Sequence, residues 1–211
     1  MEPFYVINVG RQLGSCGKDI AEALAARLGI TAYDKKLIDI AAQESGIGKE
    51  FFEHADEKNT RNIFRIFFGA REGGGISDYA FNGCCLNDNE LFKIQSDVIR
   101  KIAARESCIF VGRCADYILR DHVRCLNLFI TANMDHRIAC VATREKVSEE
   151  KAREIIEKGD RCRASYYNYY SNRTWGAADT YHLCVNSSVL GVEGTADMLL
   201  DFAKRKLSIE L

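Results

Sequence analysis

The sequence predicts an α/β fold: a three-layer α/β/α sandwich around a five-stranded parallel sheet, with a helical lid near the C-terminal third. Five apolar runs of strand length alternate with stretches of helical periodicity. The strands are continuously hydrophobic, as strands covered by crossover helices on both faces must be. A glycine-rich turn joins the first strand to the first helix.

The 211 residues are 47% apolar, enough for one sizeable core, and Pro3 is the only proline, so no proline-rich linker divides the chain. One domain over 1–211 is expected, with a mobile acceptor-side insertion at 49–89 and a lid segment at 148–174. The formal charge of −1, from 29 basic and 30 acidic residues, excludes a global field for nucleic acid or an anionic membrane. Any anion site must be local. Nine cysteines without a C-x-x-C pair suggest reduced thiols, and the start of the chain lacks the pattern of a secretory signal. A soluble, cytoplasmic protein is expected, with no membrane or nucleic-acid partner.

The first strand is read at 4–9 (FYVINV), and the stretch GRQLGSCGKDI at 10–20 runs from it into a helix whose face carries Ile20, Ala23, Leu24 and Leu28. Strand, glycine-rich loop and helix make a phosphate cradle: backbone N–H groups turn inward on an anion, and the helix N-terminus adds partial positive charge. Gly14, Ser15, Cys16, Gly17, Lys18 and Asp19 are the candidate phosphate-binding residues, with Lys18 reaching the outer phosphates. The motif is irregular. Gln12 stands in place of its first glycine and Asp19 in place of its magnesium-binding Ser/Thr, and aligning the loop by its helix puts Gly17 at the lysine place. The alternative is a glycine-rich turn with no ligand.

A weaker strand at 31–33 ends on Asp34, which either orders an acceptor or a magnesium-bound water, or simply caps the helix carrying Leu37, Ile38 and Ala41. The segment 49–89 holds NIFRIFF and the triplet Gly73, Gly74 and Gly75, and is expected to be part helix, part loop. Helical periodicity returns with Leu91, Ile94, Val98, Ile99 and Ile102, then a strand at 108–111 leads into Arg113. A guanidinium just past a strand's C-terminal end can hold an acceptor phosphate bidentately; otherwise it pairs with Asp116 or Asp121.

After the strand at 125–130, a helix carries Arg137 and Arg144 as further candidates. Ser148 is expected to cap a polar helix over 148–173, with Glu149 and Glu150 in its first turn. Arg161 and Arg163 are the candidate catalytic cations, clamping the charge that spreads over a moving phosphoryl group. Two residues apart, they point to different sides of a helix, so only one reaches a given phosphate unless the helix breaks at Gly159. From Arg137 to Arg173 the chain carries nine basic and six acidic residues, a local excess that suits an anion or a solvated face. Tyr166, Tyr167, Tyr169, Tyr170 and Trp175 are read as packing against the body or a second copy of the chain. The last strand, 182–185, ends on Asn186 and Ser187, near where a nucleotide base could lie. His54, His122, His136 and His182 are read as scattered away from the cysteines, so no zinc site is expected.

Three segments, GRQLGSCGKDIAEALAARLGITAYDKKLI, ESCIFVGRCADYIL and DRCRASYYNYYSNRTWGAADTYHLCVNSS, resemble the cytidylate kinase-like family in content and order. The resemblance implies a P-loop NTPase fold, ATP as donor with Mg²⁺, and a nucleotide-like acceptor; Ser15, Asp19 and Asp34 are the candidate ligands of the ion. In true cytidylate kinases the Gly-Arg pair is followed by aspartate; here Cys114 follows Arg113. The expected activity is ATP-dependent phosphoryl transfer to a nucleoside monophosphate, CMP-like, or a similar small acceptor. The alternatives are a kinase for another small metabolite and a catalytically silent nucleotide-binding regulator.

Overall fold

The computed structural model describes residues 4–34, 46 and 89–209. The expectations for the helix at 37–41 and the insertion at 49–89 fall outside the described residues. In chain order the elements are β1 (Val6–Arg11), α1 (Gly17–Leu28), β2 (Thr31–Tyr33), α2 (Asn89–Ala103), β3 (Cys108–Val111), α3 (Ala115–Ile118), β4 (Cys125–Thr131), α4 (Met134–Glu145), α5 (Glu149–Ser171), a 3₁₀ turn (Ala178–Thr180), β5 (Leu183–Asn186) and α6 (Gly191–Leu207).

All five strands pair in parallel in the order β2-β3-β1-β4-β5. β1 is central, with Val6 opposite Cys108 on one side and Cys125 on the other. Side chains alternate between the sheet faces, and the core divides accordingly. Ile7, Val9, Ile109, Val111, Leu128 and Ile130 pack with α1 and α6. Val6, Cys108 and Phe110 pack on the opposite face with α2, α3 and Tyr167 of α5. A third, small cluster joins Leu13 to Ile138 and Val141 of α4 and Ala152 and Ile156 of α5. That cluster seats the lid helix on the phosphate loop.

Several features differ from the sequence reading. β1 runs Val6–Arg11 because Phe4 is 41% exposed while pairing begins at Val6. The short helix α3 follows the Gly-Arg element. α5 does not break at Gly159: the helix is continuous, and a Cβ there would meet Leu13 Cδ2 at 2.7 Å. The glycine lets the helix approach the loop. Ser148 caps α5 as expected, its hydroxyl accepting from the Lys151 N–H at 3.3 Å.

Candidate functional site

The C-terminal ends of β1 and β3 open into a cleft of about 500 Å³ that α5 covers. Parallel sheets place ligands at this edge because loops there diverge and helix N-termini point inward. Arg11, Gly112, Arg113 and Asp116 line the cleft from the sheet, and Lys151, Lys158, Arg163 and Tyr166 from α5.

The phosphate loop is gripped from behind. Asp160 accepts from the Leu13 N–H at 2.8 Å, Arg137 Nε donates to the Leu13 carbonyl at 2.7 Å, and Arg137 and Asp160 form an ion pair with each other. Arg137 is 4% exposed, so it is a strut for the loop and its head does not reach an anion in the cleft. Within the loop, the Ser15 hydroxyl is fully buried and donates to the Gln12 carbonyl at 2.9 Å. Ser187 donates to the Ser15 carbonyl at 2.8 Å. Gly14 and Cys16 take left-handed backbone, φ 78° and 55°, and Cys16 is the N-cap of α1. Their N–H groups, with that of Gly17, make no hydrogen bond among the described residues, which leaves a nest at a helix N-terminus.

The sequence placed Lys18 over this nest. Its ammonium instead meets Asp34 at 2.7 Å and Glu22 at 3.7 Å, half-exposed on the flank of α1. Arg11 occupies the ground that a loop lysine would cross. A Cβ at Gly17 would fall 2.6 Å from Arg11 Cβ, and one at Gly112 would fall 2.1 Å from Arg11 Nη1. Two glycines therefore make room for one guanidinium, which runs from the end of β1 to the turn after β3. Sequence reading missed Arg11 because it looked for the cation inside the motif; Gly17 at the lysine place was the available signal.

Arg113 follows β3 in a run of three left-handed residues, Gly112, Arg113 and Cys114, at φ 81°, 59° and 54°. Non-glycine residues adopt this backbone at a cost of about 1–2 kcal/mol each, and such outliers gather at functional sites. The run aims Arg113 toward the cleft, its guanidinium 5.4 Å from the centre of the Tyr166 ring. The pairing with Asp116 or Asp121 is not made: Asp121 meets Arg120 at 3.7 Å, and Asp116 accepts from the Tyr167 hydroxyl at 2.6 Å.

Asp116 was not singled out from sequence as a site residue. It is 7% exposed, and burial raises its pKa against the lowering effect of the Tyr167 hydrogen bond. It supplies, from two residues further on, a carboxylate near the place that Cys114 leaves without one. The Tyr181 hydroxyl and Asn8 Oδ1 are buried without a hydrogen-bond partner among the described residues, and both residues line the cleft. Buried polar atoms of this kind need a ligand or water.

On α5 the two arginines part company. Arg163 lines the cleft and donates to the Arg11 carbonyl at 3.1 Å. Arg161 is 73% exposed on another face and meets Glu157 at 3.8 Å. The geometry withdraws Arg161 from the cleft, because the unbroken helix keeps the two side chains apart. Arg144, 53% exposed, meets Glu145. Tyr166 and Tyr170 pack with Phe92, and Trp175 with Phe129, so this band is largely packing. Ser187 is 1% exposed and buttresses the loop, while Asn186 donates to Asn133 at 2.8 Å; neither lines the cleft.

For a hard cation such as Mg²⁺ the fitting donors are carboxylates. Asp19, exposed in the first turn of α1, and Asp34, at the end of β2, provide them; the Ser15 hydroxyl is spent inside the loop. One set of soft donors, unforeseen from sequence, also assembles. Cys16, His136 and Cys140 bring their ligand atoms within 4.8 Å of one another. His136 and Cys140 are one turn apart on α4, a spacing the sequence reading overlooked. Burial and the neighbouring Cys140 push the Cys16 thiol up to about 11.

Comparison with known proteins agrees with this fold. The model of the cytidylate kinase-like family matches residues 6–189. An uncharacterized protein from Eubacterium ventriosum ATCC 27560 superposes with a TM-score of 0.71 at 27% identity, covering 95% of this chain and 98% of that one. The shikimate kinase of Bacteroides thetaiotaomicron gives a TM-score of 0.54 at 10% identity, covering 95% and 98%. The shikimate kinase of Acinetobacter baumannii in complex with shikimate gives 0.50 at 12%, covering 95% and 93%. The last two are likenesses of fold, and the fold is that of the P-loop kinases. No protein of curated function matches the sequence. Among the described residues no helix is long and apolar enough to cross a membrane.

Proposed function

The chain belongs to the cytidylate kinase-like family, and from that premise we propose that it transfers the γ-phosphoryl group of ATP to a nucleoside monophosphate, CMP-like, or a similar small anionic acceptor. Membership in a kinase-like family supports nucleotide-dependent phosphotransfer in general; the acceptor is the finer reading. The observation that carries it is the cleft itself, whose lining brings together Arg11, Arg113 and Arg163, a buried carboxylate, Asp116, and two unpartnered polar atoms.

In this reading the nest at Gly14, Cys16 and Gly17 holds the donor's phosphates, with Arg11 serving where a loop lysine is absent. Asp19 and Asp34 would hold Mg²⁺, with Lys18 orienting the Asp34 carboxylate. The ion, when bound, neutralises charge on the phosphate oxygens. Arg113 holds the acceptor's anionic group bidentately, and Asp116 accepts from its hydroxyl or amino groups. The acceptor oxygen attacks the γ-phosphorus, the bond to the β,γ-bridging oxygen breaks, ADP leaves, and the acceptor's proton passes to solvent or base. Arg163 balances the charge on the transferring group, and α5 keeps water from competing with the acceptor.

The experiment is a panel of nucleoside monophosphates and phosphorylated metabolites, with Mg²⁺ and ATP, followed by ADP formation and detection of the phosphorylated product. Turnover with a nucleoside monophosphate supports the reading. Turnover only with another metabolite would correct the acceptor and keep the transfer. ATP binding with no turnover across the panel would leave a nucleotide-binding regulator.

A further inference from the structure

We propose that Cys16, His136 and Cys140 form a binding site for a soft divalent cation, Zn²⁺ by its chemistry, with a fourth position open to water. The argument is geometric. Cys16 Sγ lies 3.7 Å from Cys140 Sγ, and Cys140 Sγ lies 3.5 Å from His136 Nε2. A tetrahedral zinc, with bonds of about 2.3 Å to sulfur and about 2.0 Å to nitrogen, requires edges of about 3.75 Å between sulfurs and about 3.5 Å between sulfur and nitrogen. Two of the three edges match these, and the third, from Cys16 to His136, lies within 4.8 Å, so a small side-chain adjustment brings the three ligands onto the ion.

Their supports are rigid on both sides. His136 and Cys140 sit at i and i+4 of α4 and share one face. Cys16 is the left-handed N-cap of α1, at the crest of the phosphate loop. Two thiolates and an imidazole select a soft ion and disfavour Mg²⁺, which takes oxygen donors in near-octahedral geometry. The site is thus separate in residues and chemistry from the carboxylates Asp19 and Asp34. Binding displaces two thiol protons to solvent, leaving two thiolates whose charge the ion cancels. It ties the loop's crest to α4, the helix whose Arg137 already holds Leu13. The ion acts as a latch that fixes the loop, independent of turnover.

The test is titration of reduced, metal-free protein with Co²⁺, followed by competition with Zn²⁺. The expected result is one Co²⁺ per chain, with thiolate-to-cobalt charge transfer and the visible bands of a tetrahedral ion, both erased by Zn²⁺. Cys140→Ser, which keeps the side chain's shape and changes no residue of the phosphate loop itself, should weaken binding at least ~100-fold, a loss beyond that from removing an outer-shell partner. His136→Ala, at an exposed position, should weaken it in the same direction and change the band pattern. Zn²⁺ should raise the melting temperature of the wild type and leave that of Cys140→Ser unchanged. Absence of the charge-transfer band, or a band that survives Cys140→Ser, would overturn the proposal.

Discussion

At Arg11 the chain sets a guanidinium where β1 meets the phosphate loop, and glycines at 17 and 112 keep its path clear. Lys18, the motif's obvious cation, is half-exposed and held by Asp34 and Glu22. Arg11→Ala should therefore weaken binding of a non-hydrolysable ATP analogue with Mg²⁺ by ~10-fold or more, as loss of a charged hydrogen bond does. Lys18→Ala, which removes a partly screened surface pair, should change it less than about threefold. Calorimetric titration of both variants decides, and the reverse order would return the role to Lys18. Asp116 makes a second residue-scale prediction. Its folded-state pKa is raised, so the folded protein holds its proton more tightly than the unfolded chain. The resulting stability is fully present below the ordinary carboxylate range and is lost as pH rises through the raised value. Asp116→Asn should abolish that slope in urea-unfolding midpoints measured across pH, keep the Tyr167 hydrogen bond, and raise the acceptor KM. An unchanged slope would mean that the carboxylate titrates normally.

Among the elements, β3, β4 and α5 are read from sequence within a residue or two of where they lie. Their apolar runs and the Ser148 cap are local signals, and the core's demands agree with them. The relation of α5 to the loop was not legible. In the sequence Asp160 is one of six acidic residues among nine basic ones from Arg137 to Arg173, yet it closes the pair with Arg137 and accepts from the Leu13 N–H. Nothing local in the string D-R-C-R says which face meets a loop more than 140 residues earlier. A separation of 124 residues likewise hid Cys16 from Cys140. Asp160→Ala strands a buried guanidinium and a loop N–H together, and should cost about 3–5 kcal/mol in urea unfolding, the range for breaking a buried ion pair on one side. A loss below ~1 kcal/mol would show that the loop does not depend on this strut.

For the whole molecule, the parallel sheet gathers the ends of β1 and β3 at one edge, and α5 closes over them. Residues that sequence treats as separate (Arg11, Arg113, Asp116, Arg163) become one cleft. The basic excess from Arg137 to Arg173 is only partly available to an anion: Arg137 pairs with Asp160, Lys151 with Glu154, and Arg161 with Glu157. What faces the cleft is chosen by the helix's rotation. The account's central claim is that transfer occurs in this cleft under the inner face of α5, and the kcat of Arg163→Ala beside that of Arg161→Ala, measured with the acceptor the panel identifies, tests it most directly. A fall of ~10²-fold for Arg163→Ala, with Arg161→Ala within about threefold of wild type, is the predicted result. Equal losses in the two variants, or a loss confined to Arg161→Ala, would contradict it.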